Sequence, residues 1–168
     1  MNRARAALLA LAAAALTGCQ RHPLEQKISV RDMGAYSLWV GSASRELSPA
    51  QAADLADARG AIRLSIMAGG KLSGAETVDA AFLEKINGLT VRELLRLGLA
   101  VRQRRFADEK TELEQNIIYQ SKLKTKPGDK ESADYLQYHL ALDRERLAKV
   151  ESELAAIQTK VAALALAR

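Results

Sequence analysis

Cysteine is nearly absent: Cys19 is the only one in 168 residues. A single thiol closes no internal disulfide, so a small disulfide-stapled scaffold is excluded. Aromatic residues make up 4% of the chain, with one Trp, two Phe and four Tyr, and there are only three prolines. A chain this poor in aromatics and rich in Ala, Leu, Glu, Lys and Arg points to helices rather than sheets. The two histidines, His22 and His139, have no neighbour at metal-ligand spacing, so no metal or cofactor site is expected. A net charge of +5 is mild and far from the strongly basic balance of a nucleic-acid binder. No apolar run exceeds the 11 residues from Ala6 to Leu16, and a bilayer-spanning helix needs about 20.

That short run has a specific context. Arg3 and Arg5 precede it, and Leu16-Thr17-Gly18-Cys19 follows it. A basic start, a short apolar stretch and small residues are the marks of a secretory signal peptide. The last four residues resemble the lipobox of bacterial lipoprotein precursors. The resemblance implies cleavage between Gly18 and Cys19 and lipid attachment at Cys19, with two acyl chains on the sulfur and often a third on the new amino group. One chain holds a protein on a membrane marginally, whereas two make a stable anchor. The bland alternative is an ordinary signal peptide that happens to end in a cysteine. Gln20 stands where many such lipoproteins of double-membrane bacteria carry an Asp that retains them in the inner membrane. The expected place is therefore the periplasmic face of the outer membrane.

Without residues 1–18 the chain has 23 basic and 20 acidic residues, a net charge of +3, and enough length for one domain with a core. Residues 19–31 read as a flexible tether, and 32–168 as a single helical domain. From Met33 onward, Tyr36, Trp39, Val40, Ala43 and Leu47 recur at helical spacing. Tyr36-Leu38-Val40 also fits a short strand. Ser48-Pro49-Ala50-Gln51 is a capping box with proline in the first turn, and Gly69-Gly70 ends the helix it opens. Ser73 with Glu76 repeats the box ahead of Val78, Phe82 and Ile86, Asn87-Gly88 stops that helix, and Thr90 with Glu93 opens the next.

The fourth helix is expected over Val91 to about Lys124, and the fifth from about Glu131 to Ala167, with Pro127-Gly128-Asp129 between them. Leu136, Leu140, Asp143, Leu147, Val150, Leu154, Ile157, Val161 and Leu164 alternate at spacings of 4 and 3, and eight of the nine are apolar. That is a coiled-coil seam. A short loop forces the two helices antiparallel. Reflection about Gly128 pairs Phe106 with Val150, Leu99 with Ile157 and Leu95 with Val161, and puts Asp143 near Leu113 and Lys110. The fold class expected is all-α: a small helical base (32–101 and 157–168) and a projecting two-helix coiled-coil hairpin (about 102–156). Within it, Asp143→Leu is expected to raise the melting temperature.

Residues 36–97 also resemble an uncharacterised family of small bacterial lipoproteins. The likeness rests on Ser37-Leu38, Leu47-Ser48 and the junction Asn87-Gly88-Leu89-Thr90-Val91-Arg92-Glu93. It implies no activity, and helix-stop and capping chemistry explains the junction equally well.

Groups able to perform a reaction are scarce. Gly69-Gly70-Lys71 is too short for a phosphate-binding loop, and Asp108-Glu109 belongs to a charged helical face. Arg102, Arg104 and Arg105, with Arg92 and Arg96, form the one basic cluster. It is either a contact for anionic headgroups or an acidic partner, or a solvated face paired to Glu93, Asp108 and Glu109. The function expected is non-enzymatic: a membrane-anchored envelope protein whose helical arm meets another envelope protein. The alternative is an accessory to cell-wall modification or hydrolysis with a site in the base.

Overall fold

A computed structural model of the chain describes residues 22–70 and 77–166. Those residues are all-helical: α1 (Met33–Glu46), α2 (Pro49–Ala68), α3 (Val78–Ile86), α4 (Val91–Lys122) and α5 (Lys130–Leu166), after a 3-10 turn at Pro23–Glu25. Residues 36–40 are helix, not strand.

Local chemistry sets the helix starts. The Ser48 hydroxyl accepts from the Gln51 amide at 3.3 Å while the Gln51 side chain accepts from the Ser48 amide at 3.0 Å. Thr90 and Glu93 make the same reciprocal pair at 3.2 and 2.7 Å. Each cap satisfies amides that have no partner inside the helix and contributes about 1 kcal/mol. Ser73 and Glu76 lie outside the described residues, and α3 begins later than that box implies, because the Thr77 hydroxyl caps Val78–Ile86 by accepting from Ala80. The long α4 stops two residues early, with Leu123 extended at φ −68° and ψ 135°. Pro127 disfavours helix in the residue before it, and Gly128 turns the chain at φ +89°. The Asp129 carboxylate then accepts from the Ser132 amide at 3.1 Å and opens α5.

The stretch read as a tether is part of the base from His22 on. Leu24 and Ile28 are fully buried and Val30 nearly so. Their backbone runs along the α3–α4 junction: Ile28 N donates to Leu89 O at 2.8 Å, Gly88 N to Ile28 O at 2.8 Å, and Val91 N to Gln26 O at 3.0 Å. The Asn87 side chain accepts from Val30 N at 3.1 Å. Asn87-Gly88-Leu89-Thr90 therefore ends one helix, starts another and receives the N-terminal segment. Gly88, at φ +87°, is the residue whose backbone must bend there.

Around this segment the base closes on Tyr36, Leu55, Ile62, Phe82, Ile86, Val91, Leu94 and Leu95, all buried. Tyr36 meets Phe82 edge to face at 5.3 Å and stacks on Trp39 at 5.8 Å. Helices α2 and α4 touch at Ala58 and Gly98, where a Cβ on Gly98 would come within 2.3 Å of the Ala58 Cβ. Only glycine permits that approach.

Helices α4 and α5 lie against each other in opposite sense. Arg92 contacts the Leu164 carbonyl, Arg102 contacts Glu153, and Lys110 contacts Glu151. Leu113, Val150 and Ile157 are buried between them, and Leu136, Leu140, Leu147 and Leu154 half-buried. Two expectations need correction. Val161 is 40% exposed and Leu166 82% exposed, whereas Leu164 packs against the base core, so the base covers only one side of the C-terminal turns. Asp143 accepts from the Gln120 amide at 2.9 Å, whereas Lys110 bonds Glu151 at 2.6 Å. The expected contact of Asp143 with Lys110 is thus not made, although Arg92 with Leu164, Arg102 with Glu153 and Arg146 with Glu109 keep the reflected register to within one residue.

Candidate functional site

Cys19 and Gly18 lie outside the described residues. The described chain starts three positions later at His22, whose Nδ1 accepts from the Leu24 amide at 3.3 Å. No helix among the described residues is long and apolar enough to cross a membrane. No group of three His, Cys, Asp or Glu side chains converges there in a way that would hold a metal ion.

The predicted arginine cluster does not act as one patch. Arg102 is largely covered and joins three helices, with Asp57 of α2 and Glu153 of α5 each at 3.1 Å. Arg92 does similar work lower down, reaching Glu25 at 2.6 Å and the Leu164 carbonyl at 2.6 Å. Lys160 and Asp54 pair across α5 and α2. These pairs cross between elements instead of following one helix face. Arg104 is exposed. Arg105 lies over the Phe106 ring, 4.7 Å from its centre, and no carboxylate pairs with it among the described residues.

Beyond the Ala58–Gly98 contact, α2 and α4 leave a trough between them. One hollow of about 310 Å³ is walled by Ala61, Leu64, Ser65, Ala68 and Val101, with Arg102 and Arg105 at its edge. A second, of about 320 Å³, continues past Ala56, Asp57 and Gly60 and shares Ala61, Leu64, Arg102 and Arg105 with the first. The trough is apolar toward Ala68 and polar toward Asp57. Sequence patterning does not show it, because a gap between two helices leaves no period in either.

The distal end of α4 and α5 differs in character. Ile118, Tyr119, Leu123, Tyr135, Tyr138 and Leu142 all remain exposed there, and the tyrosines are about two-thirds exposed. On α5, Tyr135, Tyr138, His139 and Leu142 share a face by spacing, beside the Leu136–Leu140 seam rather than on it. The His139 ring sits 4.3 Å from Tyr135 and 5.4 Å from Tyr138. Lys122, Lys124, Lys126 and Lys130 surround the turn, are exposed, and join no ion pair among the described residues. Three of the four tyrosines of the chain thus stand at one end of the molecule. The sequence signal for this is present: apolar and aromatic residues off the seam, in an otherwise polar stretch.

Several groups are shifted in ways that report local structure. Hydrogen bonds from the Thr90 amide and hydroxyl hold the Glu93 carboxyl below the usual range, and those from Ser132 do the same for Asp129. The Glu151 carboxylate raises Lys110, and Lys149 lowers Glu145. Burial pushes the Tyr36 hydroxyl up, opposed by the charge of Arg59, whose guanidinium lies 5.0 Å from the Tyr36 ring centre. The Tyr36 hydroxyl, the Trp39 indole N–H and Nε of Arg59 and Arg63 are buried without hydrogen-bond partners.

Comparison with protein-family models, curated proteins and solved structures yields no match to this chain.

Proposed function

We propose that this chain is a lipid-anchored protein of the bacterial envelope, held at Cys19, whose two long helices form a coiled-coil hairpin that presents its distal end to another envelope component. It is a non-enzymatic interaction protein. The lipobox Leu16–Cys19 after the apolar leader carries the anchor half of this reading. Gln20, in place of a retaining Asp, supports placing the chain on the periplasmic face of the outer membrane.

The exposed distal end carries the other half. Val91 hydrogen-bonds Gln26 at the N-terminal segment. From there α4 runs 32 residues, about 48 Å at 1.5 Å per residue. Cys19 is five residues before buried Leu24, hence within about 18 Å of it. The anchor therefore belongs to one end of the molecule and the tyrosine-rich surface to the other. Tyrosine supplies a rigid contact area with a polar tip, which suits a surface that is wet when free and covered when bound.

Acyl-chain labelling with membrane fractionation tests the anchor. The wild-type chain takes up label and sediments with membranes, and Cys19→Ser does neither. Labelled, membrane-bound Cys19→Ser would sink the reading.

A further inference from the structure

We infer that the trough between α2 and α4 is a binding site for a single-chain fatty acid carboxylate. This goes beyond the proposed anchor and arm and does not depend on them.

Three observations carry it. The first is shape. Helices that touch as closely as Ala58 and Gly98 leave space where larger side chains take over. Here that space is about 310 Å³, at the lower end of ligand pockets and too small for a two-chain lipid. The second is the wall. Ala61, Leu64, Ala68 and Val101 offer no charge and little polarity, and Leu64 is 55% exposed although it lines the hollow. Covering such a surface with an alkyl chain removes apolar area from water on both partners. The third is the mouth. Arg102 is neutralised by Asp57 and Glu153, which leaves Arg105 as the cation at the edge without a carboxylate partner among the described residues. A guanidinium presents two parallel N–H groups that match a carboxylate. Asp57, which lines the adjoining hollow together with Arg105, repels an anion on that side, so the carboxylate pairs with Arg105 and the chain lies over Ala61, Leu64 and Val101. A phosphodiester headgroup with two chains satisfies the mouth but not the volume, and a neutral alkane satisfies the wall but not the mouth.

The probe is laurate, titrated below its micelle concentration into the full chain carrying Cys19→Ser, so that no covalent lipid competes. Saturable one-to-one binding is expected by calorimetry. Arg105→Glu should weaken it at least tenfold, and dodecyltrimethylammonium should bind the unaltered site at least tenfold more weakly than laurate. Ala61→Phe fills the hollow and should abolish binding. Ala68→Trp, at an exposed position, does the same from the trough's end and keeps the test valid if the buried Phe perturbs folding. Non-saturable uptake, equal binding of both amphiphiles, or undiminished binding by Arg105→Glu or by folded filled variants overturns the assignment. Binding that is lost in both filled variants and reduced by Arg105→Glu upholds it.

Discussion

The base and the distal end of the long helices are built from similar residues, yet they close in different ways. In the base, apolar side chains from the N-terminal segment and α1–α4 meet from several directions, and Leu24, Ile28, Ile62, Phe82 and Leu94 lose all contact with water. In the distal half of α4 and α5, one narrow seam is shared by two helices, and only Leu113 and Val150 are nearly fully covered there. The rest of the contact is polar: Lys110 with Glu151, Arg146 with Glu109, Gln120 with Asp143. Exposed ion pairs of this kind contribute at most about 1 kcal/mol each. Stability therefore resides in the base, and the distal half is free to carry residues chosen for contact rather than for packing.

The sharpest way to break that comparison is Leu24→Ala. If the N-terminal segment is core, the change costs about 2–5 kcal/mol and lowers the midpoint of chemical unfolding markedly. A tether would show no change. Gly98→Ala comes next. Its methyl meets Ala58, and the helices must move apart, at about 1–3 kcal/mol. Gly41→Ala is its control, because nothing lies within 4 Å of a Cβ added at that exposed position of α1. It should stabilise by about 0.5–1 kcal/mol. Thermal denaturation of the pair reads both signs at once.

Asp143 sharpens the view of the distal half. Taken as an isolated polar residue in an apolar seam, it should gain stability on replacement by leucine. Because it accepts from half-buried Gln120, Asp143→Leu alone leaves that amide without its acceptor and lowers stability by about 1 kcal/mol. The double variant Gln120→Leu with Asp143→Leu removes both groups and should melt above the wild type. A single variant that melts higher would show that the hydrogen bond contributes nothing.

The smallest effect concerns pH. Glu93 is held below the ordinary carboxylate range by Thr90. A carboxyl lowered in the folded state adds stability above its unfolded pKa and loses that stability as pH falls through its folded pKa. Glutamine keeps the capping geometry without the charge. Glu93→Gln should thus lie below the wild type at neutral pH and converge with it in acid. Parallel melting curves across that range would contradict the assignment.

What the sequence reveals and what it hides divide along the range of the interactions. Ser48 with Gln51, Thr90 with Glu93 and the stops at Asn87-Gly88 act within four residues, so their signals are complete locally. Of the nine positions spaced alternately 4 and 3 from Leu136 to Leu164, all but Val161 are at least half-buried, so the helical period marks the covered side of α5. Leu24, Ile28 and Val30 carry no helical or strand period. Ile28 and Val30 are held by hydrogen bonds to residues far along the chain, 57 positions away for Val30 and Asn87, which no local pattern encodes. Gly98 offers a clue, as a glycine inside an otherwise helical run usually has a packing reason. Arg102 reads equally well as a solvated residue, and only the crossing of α2 over α4 brings Asp57 to it. The trough hides for the same reason, being a gap between two helices rather than a feature of either.

The separation of anchor and contact surface is tested most directly by photo-crosslinking in intact cells, with a photoreactive residue placed in turn at Tyr135 on the distal face and at Lys149 on the flank of α5. Both side chains are well exposed, so reactivity with solvent is matched. The account predicts a discrete crosslinked species from Tyr135, lost when Tyr119 and Tyr138 are changed to alanine, and none from Lys149. A species captured equally from both positions, or from Lys149 alone, would contradict it.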